Sequence, residues 1–168
     1  MNDNVYSSSM DFRLSDDQLE FQRHCHAFAR DVMRPAAARH DRDQTVPHEV
    51  IREARAWGLH GMPYLERVGA DETGLMNAIY AEELHWGCAG IALAISGSSL
   101  AAAGIASSGT PEQIGRWVPA CFGVGDEIAS GAYAVTEAGA GSDDRSLRTT
   151  ARARACARGG RARRGGAP

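Results

Sequence analysis

The sequence predicts a mainly α fold that ends in the start of a β element, on three observations. Helix-start signals recur ahead of apolar residues at helical spacing. β-branched and aromatic residues concentrate once, in the stretch IASGAYAVT at residues 128–136. A glycine-rich turn, EAGAGSD at residues 137–143, follows that run directly. With 168 residues, 43% of them hydrophobic and 23% charged, the chain has the composition of a packed domain rather than of a disordered one.

Each element has its own local reason. Ser15-Asp16-Asp17-Gln18 reads as a capping box, with Leu14 and Leu19 at the staple positions and two aspartates at the positive end of the helix dipole. Phe21, Cys25, Phe28 and Val32 then recur four, three and four apart, and Pro35 is expected to end this first helix. A second helix starts near Pro47, turns Val50, Ile51, Ala54 and Trp57 inward and stops at Gly58. Residues 58–72 hold Gly58, Gly61, Pro63 and Gly69 and read as loop. A third helix runs from about Thr73 to His85 on the stripe Leu75, Met76, Ile79, Tyr80 and Leu84. Residues 89–106 carry no charge; serines and glycines dilute their apolarity, so a buried, closely packed helix is expected rather than a membrane span. Thr110 and Pro111 suit the cap and first turn of a short helix with Ile114, Trp117 and Val118 on its inner face.

The net charge of −3 hides a break. Residues 1–144 hold ten arginines and all 21 acidic residues, a net −11, whereas residues 145–168 hold eight arginines and no acid, a net +8. Residues 153–168 contain only Ala, Arg, Cys, Gly and Pro, with no apolar period to bury. An out-of-frame reading of GC-rich DNA accounts for this tail; the alternative is a nucleic-acid-binding arm acting through phosphates, disfavoured because no aromatic is present to stack on bases. The polar, acidic amino terminus shows no basic segment followed by an apolar one, and Cys25, Cys88, Cys121 and Cys156 form no C-x-x-C pair. A cytoplasmic, reduced setting is the expectation, with no metal site.

The stretch from Ala134 to Asp143, AVTEAGAGSD, resembles the "TEPGAGSD" signature of acyl-CoA dehydrogenases, with Ala138 where the family usually has proline. Glu82-Glu83-Leu84, the segment from Gly87-Cys88 to Ser99-Leu100, Gly109-Thr110-Pro111-Glu112-Gln113, Arg116-Trp117-Val118-Pro119 and residues 146–152 follow in the family's order. The resemblance covers residues 11–152 and is nearest to the short- and medium-chain group. Residues 66–70 are a degraded version of the family's "PEEYGG"-like loop. The resemblance implies a flexible terminus at 1–10, the family's amino-terminal helical domain at 11–125, and at 126–152 the start of its middle β domain, with its first strand and the flavin-binding motif. It also implies a continuation past Arg152 that this sequence does not contain, so the chain is expected to be a truncated, inactive and loosely folded piece.

The resemblance implies FAD-dependent α,β-dehydrogenation of an acyl-CoA thioester, in which a glutamate takes the α proton and the flavin takes the β hydride. The implied cofactor contacts are Tyr133, Ala134, Val135 and Thr136 at the flavin's pyrimidine edge, with Gly139 and Gly141 allowing close approach. Ser142 is implied at the pyrophosphate or the acyl-CoA phosphates. The base is implied to come from beyond the sequence, so Glu137 is not assigned to it and no catalytic residue is named. Ser96, Ser99 and Leu100 lie on the helix that borders the acyl pocket in the family; close helix packing explains the same small residues equally well. The implied partners are acyl-CoA, electron-transfer flavoprotein as electron acceptor, and a homo-oligomer that this chain is not expected to assemble. The same architecture also serves flavin monooxygenases and acyl-CoA oxidases, which stay open as alternatives. Asp143 and Asp144 read as an exposed turn, and His24 and His26 point to different helix faces, with no metal spacing.

Overall fold

The computed structural model describes residues 13–152, the side chain of Asp144 excepted. The terminus at 1–10 and the arginine-rich tail at 153–168 lie outside the described residues. The chain divides into two units, Met1–Tyr133 and Ala134–Pro168.

Among the described residues the first unit holds eight α-helices: α1 (Asp16–Phe28), α2 (Arg34–Asp43), α3 (His48–Ala56), α4 (Met62–Gly69), α5 (Leu75–Gly87), α6 (Ala89–Ser96), α7 (Ser98–Ser108) and α8 (Pro111–Ala120). The mainly α class is therefore observed. α1 starts as its sequence dictates. The Gln18 amide donates to Ser15 Oγ at 3.2 Å, and the Ser15 amide donates to Gln18 Oε1 at 3.0 Å. The same reciprocal box forms at Thr110 and Gln113 ahead of α8. Each cap is worth about 1 kcal/mol.

Pro35 does not end the first helix. A π-helical turn at Ala29–Met33 leads into α2, with the Arg34 amide donating five residues back to Ala29, and Pro35 sits in the first turn of α2. The wider turn absorbs the proline, which has no donor to lose at that position. Residues 58–72 are not simply a loop either, because α4 occupies most of them. Pro63 falls in its first turn, where proline favours a helix instead of breaking it. The 89–106 segment is interrupted at Gly97 and only partly buried, with Leu93 and Leu100 59% and 58% exposed. By length and composition alone, Ala89–Ser108 is apolar enough to cross a membrane.

α5 is the central helix, packed against α1, the π turn and α6. Phe21, Cys25 and Phe28 of α1 meet Ile79, Tyr80 and Leu84 of α5 in one core with Ile51 of α3 and Ile91 and Ile95 of α6. Burying each of these large side chains stabilises by roughly 1.5–3 kcal/mol. At Gly87, a Cβ would lie 2.9 Å from the Cβ of Ala29, so the end of α5 approaches the π turn as only glycine allows. A smaller cluster, Ala102, Val118 and Phe122, joins α7 to α8.

The strand expected at 128–136 is not present; the described residues hold no strand. A strand needs a neighbour to satisfy its backbone. Here the start of the segment bonds instead to the end of α8, through Ala129 N–H to Phe122 O at 3.2 Å and Gly131 N–H to Cys121 O at 3.0 Å. Ser98 Oγ accepts a second bond from the Gly131 amide. In the second unit a single antiparallel bridge joins Glu137 and Ala140, and a short 3-10 turn covers Asp144–Ser146.

Candidate functional site

Ser96, Ser99 and Leu100 share a groove in the first unit. It has a volume of about 300 Å³ and lies against α4, α5, α6 and α7. Its walls are mainly apolar, from Leu84, Ala92, Leu93 and Leu100, with the rings of Tyr64 and Tyr80 stacked 4.1 Å apart. Burial pushes the Tyr64 phenol up to about 12 and the Tyr80 phenol higher still. Both stay protonated and donate, Tyr64 to Asn77 Oδ1 at 2.7 Å and Tyr80 to the Leu59 carbonyl at 3.0 Å. These two phenols can bind and shape; neither offers an acid or base near neutrality.

The two serines differ. Ser96 Oγ spends its proton on the Ala92 carbonyl at 2.8 Å, one turn back in its own helix. Ser99 Oγ is enclosed and has no partner. An unpaired buried hydroxyl costs about 1–3 kcal/mol. Tyr64 and Asn77 were missed by sequence reasoning, since Tyr64 was placed in a loop. The missed signal was Pro63 followed by Tyr64, Leu65 and Val68 at helical spacing.

In the second unit Ala134, Val135, Thr136, Gly139, Gly141 and Ser142 are all exposed. Tyr133, at the end of the first unit, is 57% exposed, and its ring lies over Gly104 of α7. Among the described residues no hydrogen bond engages the backbone of Ala134, Val135 or Thr136, or the hydroxyls of Thr136 and Ser142. A Cβ built on Gly139 or Gly141 would meet nothing within 4 Å, and neither glycine has a positive φ. The packing of the described residues therefore gives no reason for glycine at either position. Unpaired backbone groups, free hydroxyls and room for close approach fit a flavin dinucleotide, which needs donors at its ring edge and its phosphates.

Glu137 has a different role from its neighbours. Its Oε2 accepts the Arg148 amide at 3.0 Å and its Oε1 accepts the Thr149 amide at 2.8 Å. Bonding to Thr149 first, and to the Arg148 amide next, holds its carboxyl below the usual range. Asp143 accepts the Ser146 amide on its carbonyl at 3.2 Å and the Ser146 hydroxyl on its carboxylate, which makes it a turn former.

Other titratable groups serve packing. Cys25 is buried among apolar side chains, and burial lifts its thiol to about 12. His24 bonds the Trp57 carbonyl, whereas His26 bonds Glu83 and stacks on Trp86 at 4.3 Å, so the two rings serve different neighbours. A larger depression of about 550 Å³ lies beside His40 and Thr45. There His40 is held between Thr45 Oγ1 and Glu49 Oε1, each at 2.8 Å. The Glu49 carboxyl is pulled down to about 2, first by its backbone hydrogen bond and then by Arg39 and His40.

Comparison with known proteins supplies the wider frame. The family described as "Acyl-CoA dehydrogenase, N-terminal domain" matches residues 15–123. A probable medium-chain specific acyl-CoA dehydrogenase 2, mitochondrial, of Caenorhabditis briggsae is 35% identical over 141 residues, covering 83% of this chain and 34% of that protein. Isobutyryl-CoA dehydrogenase, mitochondrial, of Dictyostelium discoideum is 34% identical over 82% of this chain and 33% of its own length. Short-chain specific acyl-CoA dehydrogenase, mitochondrial, of Bos taurus is 37% identical over 77% and 31% respectively. The chain thus spans about a third of the length of the curated relatives it matches.

Proposed function

The chain belongs to the acyl-CoA dehydrogenase family, as a stretch matching the family's amino-terminal domain, and from that premise we propose that it serves FAD-dependent α,β-dehydrogenation of an acyl-CoA thioester. One observation carries the cofactor part of this reading: among the described residues the exposed turn offers unpaired backbone at Ala134, Val135 and Thr136, followed by glycines that no described neighbour requires. Bound FAD supplies the two-electron acceptor that takes the hydride from the thioester's β carbon. The chain's own residues bind and orient. The Tyr133, Ala134, Val135 and Thr136 backbone and the Thr136 hydroxyl would hold the pyrimidine edge of the ring. Gly139 and Gly141 would let the turn approach, and Ser142 would donate to a phosphate.

The groove at Ser96, Ser99 and Leu100 takes the acyl chain, where apolar walls exclude water. We assign the α-proton base to no residue of this chain; Glu137 is occupied by two backbone amides. Electron-transfer flavoprotein as the electron acceptor and a cytoplasmic location belong to the same reading. The worm, slime-mould and cattle relatives are named mitochondrial.

Titration of the 168-residue chain with FAD, followed by quenching of flavin fluorescence, tests the cofactor assignment. Saturable binding that weakens about tenfold in Thr136→Val and in Ser142→Ala is expected, one lost charge-assisted or ring-edge bond each. Calorimetry with butyryl-CoA and octanoyl-CoA tests the groove, where Ser99→Phe fills the space and is expected to abolish acyl-dependent affinity. A wild-type chain with no affinity for FAD would remove the reading.

A further inference from the structure

Glu137 ties two closures together. Its backbone N–H donates to Ala140 O at 3.0 Å and its carbonyl accepts from the Ala140 amide at 3.2 Å, which shuts the four-residue turn carrying Gly139. Its carboxylate reaches the other way, each oxygen taking one amide, from Arg148 and from Thr149. The segment between, which holds Gly141 and Ser142, is thereby pinned at both ends through one residue. An ionised carboxylate accepting from backbone amides makes roughly twice the bond of a neutral pair. It also closes a loop that otherwise carries its full chain entropy. Thr136, directly before Glu137, and Ser142, within the loop, keep free hydroxyls while Glu137 is fully engaged.

We propose that Glu137 is a positioning residue for the dinucleotide: its grip on the Arg148 and Thr149 amides sets where Thr136 and Ser142 present their hydroxyls to the flavin ring and the pyrophosphate. This rests on the flavin reading above. The carboxyl is held in its ionised form by its contacts with Thr149 and the Arg148 amide, so the grip is complete at neutral pH. Glutamine at this position keeps one accepting oxygen and turns an NH2 donor toward an amide donor, so it loses one bond and opposes the other. Aspartate keeps the charge one methylene short of reach.

The test uses the 168-residue chain with Glu137→Gln and Glu137→Asp, read three ways: amide exchange at Arg148 and Thr149 by NMR, FAD affinity by fluorescence quenching, and the visible dichroism of bound flavin. Glu137→Gln is expected to speed exchange at both amides at least tenfold, weaken FAD at least tenfold and shrink the visible dichroic band, with helical far-ultraviolet dichroism unchanged and Glu137→Asp in between. Unchanged exchange would show that no grip exists. Faster exchange with wild-type FAD affinity and wild-type dichroism would reduce Glu137 to a turn brace. Both outcomes overturn the proposal while wild type still binds FAD. Absence of FAD binding in wild type is a different failure, that of the flavin reading itself, and the positioning role falls with it.

Discussion

The Nδ1 nitrogen of His60 lies 2.9 Å from the carbonyl oxygen of Ile95, joining the α3–α4 connection to the end of α6 across 35 residues of sequence. A carbonyl only accepts, so Nδ1 carries the proton and Nε2 presents a lone pair. That second nitrogen is buried without a partner, edge-on to Phe122 at 5.3 Å between ring centroids.

Burial lowers the His60 pKa, the Ile95 bond opposing that only in part, so the folded state holds a neutral ring where the unfolded chain titrates near 6.5. Between the lowered folded value and 6.5 the unfolded state binds more protons. Stability is therefore complete above about pH 6.5 and declines as pH falls through that window. Urea midpoints measured at pH 7.5, 6.5 and 5.5 are expected to fall progressively in wild type and to change less in His60→Gln. Parallel slopes for the two proteins would exclude His60 as the source. At pH 7.5 the same substitution is expected to cost about 1–3 kcal/mol through lost packing against Phe122.

Gly87→Ala places a methyl 2.9 Å from the Ala29 Cβ and 3.3 Å from the Ala29 carbonyl oxygen. Both α5 and the π turn sit in the main core and yield little. A loss of about 1–3 kcal/mol in denaturant unfolding is expected. The double variant Ala29→Gly with Gly87→Ala removes the methyl it strikes, so it should recover part of that loss relative to additivity. Strict additivity would mean that the two residues do not touch.

Ser99→Ala deletes a hydroxyl that pays desolvation and makes no bond. The variant is expected to be more stable by up to about 1–2 kcal/mol in urea denaturation. On the proposed reading, acyl-CoA affinity is expected to hold for a plain acyl chain, because the apolar walls that would receive it are untouched. A destabilised Ser99→Ala would reveal a partner for the hydroxyl.

Gly139→Ala and Gly141→Ala change nothing within the chain, since a Cβ at either site meets open space and neither backbone needs a positive φ. Unfolding free energies within about 0.5 kcal/mol of wild type are expected. On the proposed flavin reading FAD affinity is expected to fall severalfold, because the added methyl would stand where the ring or phosphates approach. If FAD binds both variants as it binds wild type, these glycines are not part of a cofactor site.

Local signals were readable wherever the interaction itself is local. The Ser15–Gln18 box, the α3 stripe of Val50, Ile51 and Ala54, the α5 stripe from Met76 to Leu84 and the Thr110 cap formed as their spacing dictates, whereas Leu75, expected on the α5 stripe, and Trp117, expected inward on α8, are 43% and 48% exposed. Local signals misled where proline has two meanings. Pro35 and Pro63 look like stops, yet each lies in the first turn of a helix, because proline there sacrifices no hydrogen bond. The strand failed for a different reason. The residue types at 128–136 suit a sheet, but sheet formation is a property of a pair of segments, and Gly131 bonds to Cys121 and Ser98 instead.

For the candidate site, the sequence by itself determined the residue types of the glycine turn, the family they resemble and the small residues at 96 and 99. These follow from adjacency along the chain, which any reader of the sequence can see. Only the tertiary structure decided that Tyr64 and Asn77 of α4 and α5 wall the Ser99 groove, that Ser99 alone among its serines lacks a partner, and that Glu137 spends its carboxylate on Arg148 and Thr149. Those facts depend on which distant groups meet once the apolar faces are buried, and burial is a collective outcome of all the helices rather than of any one segment.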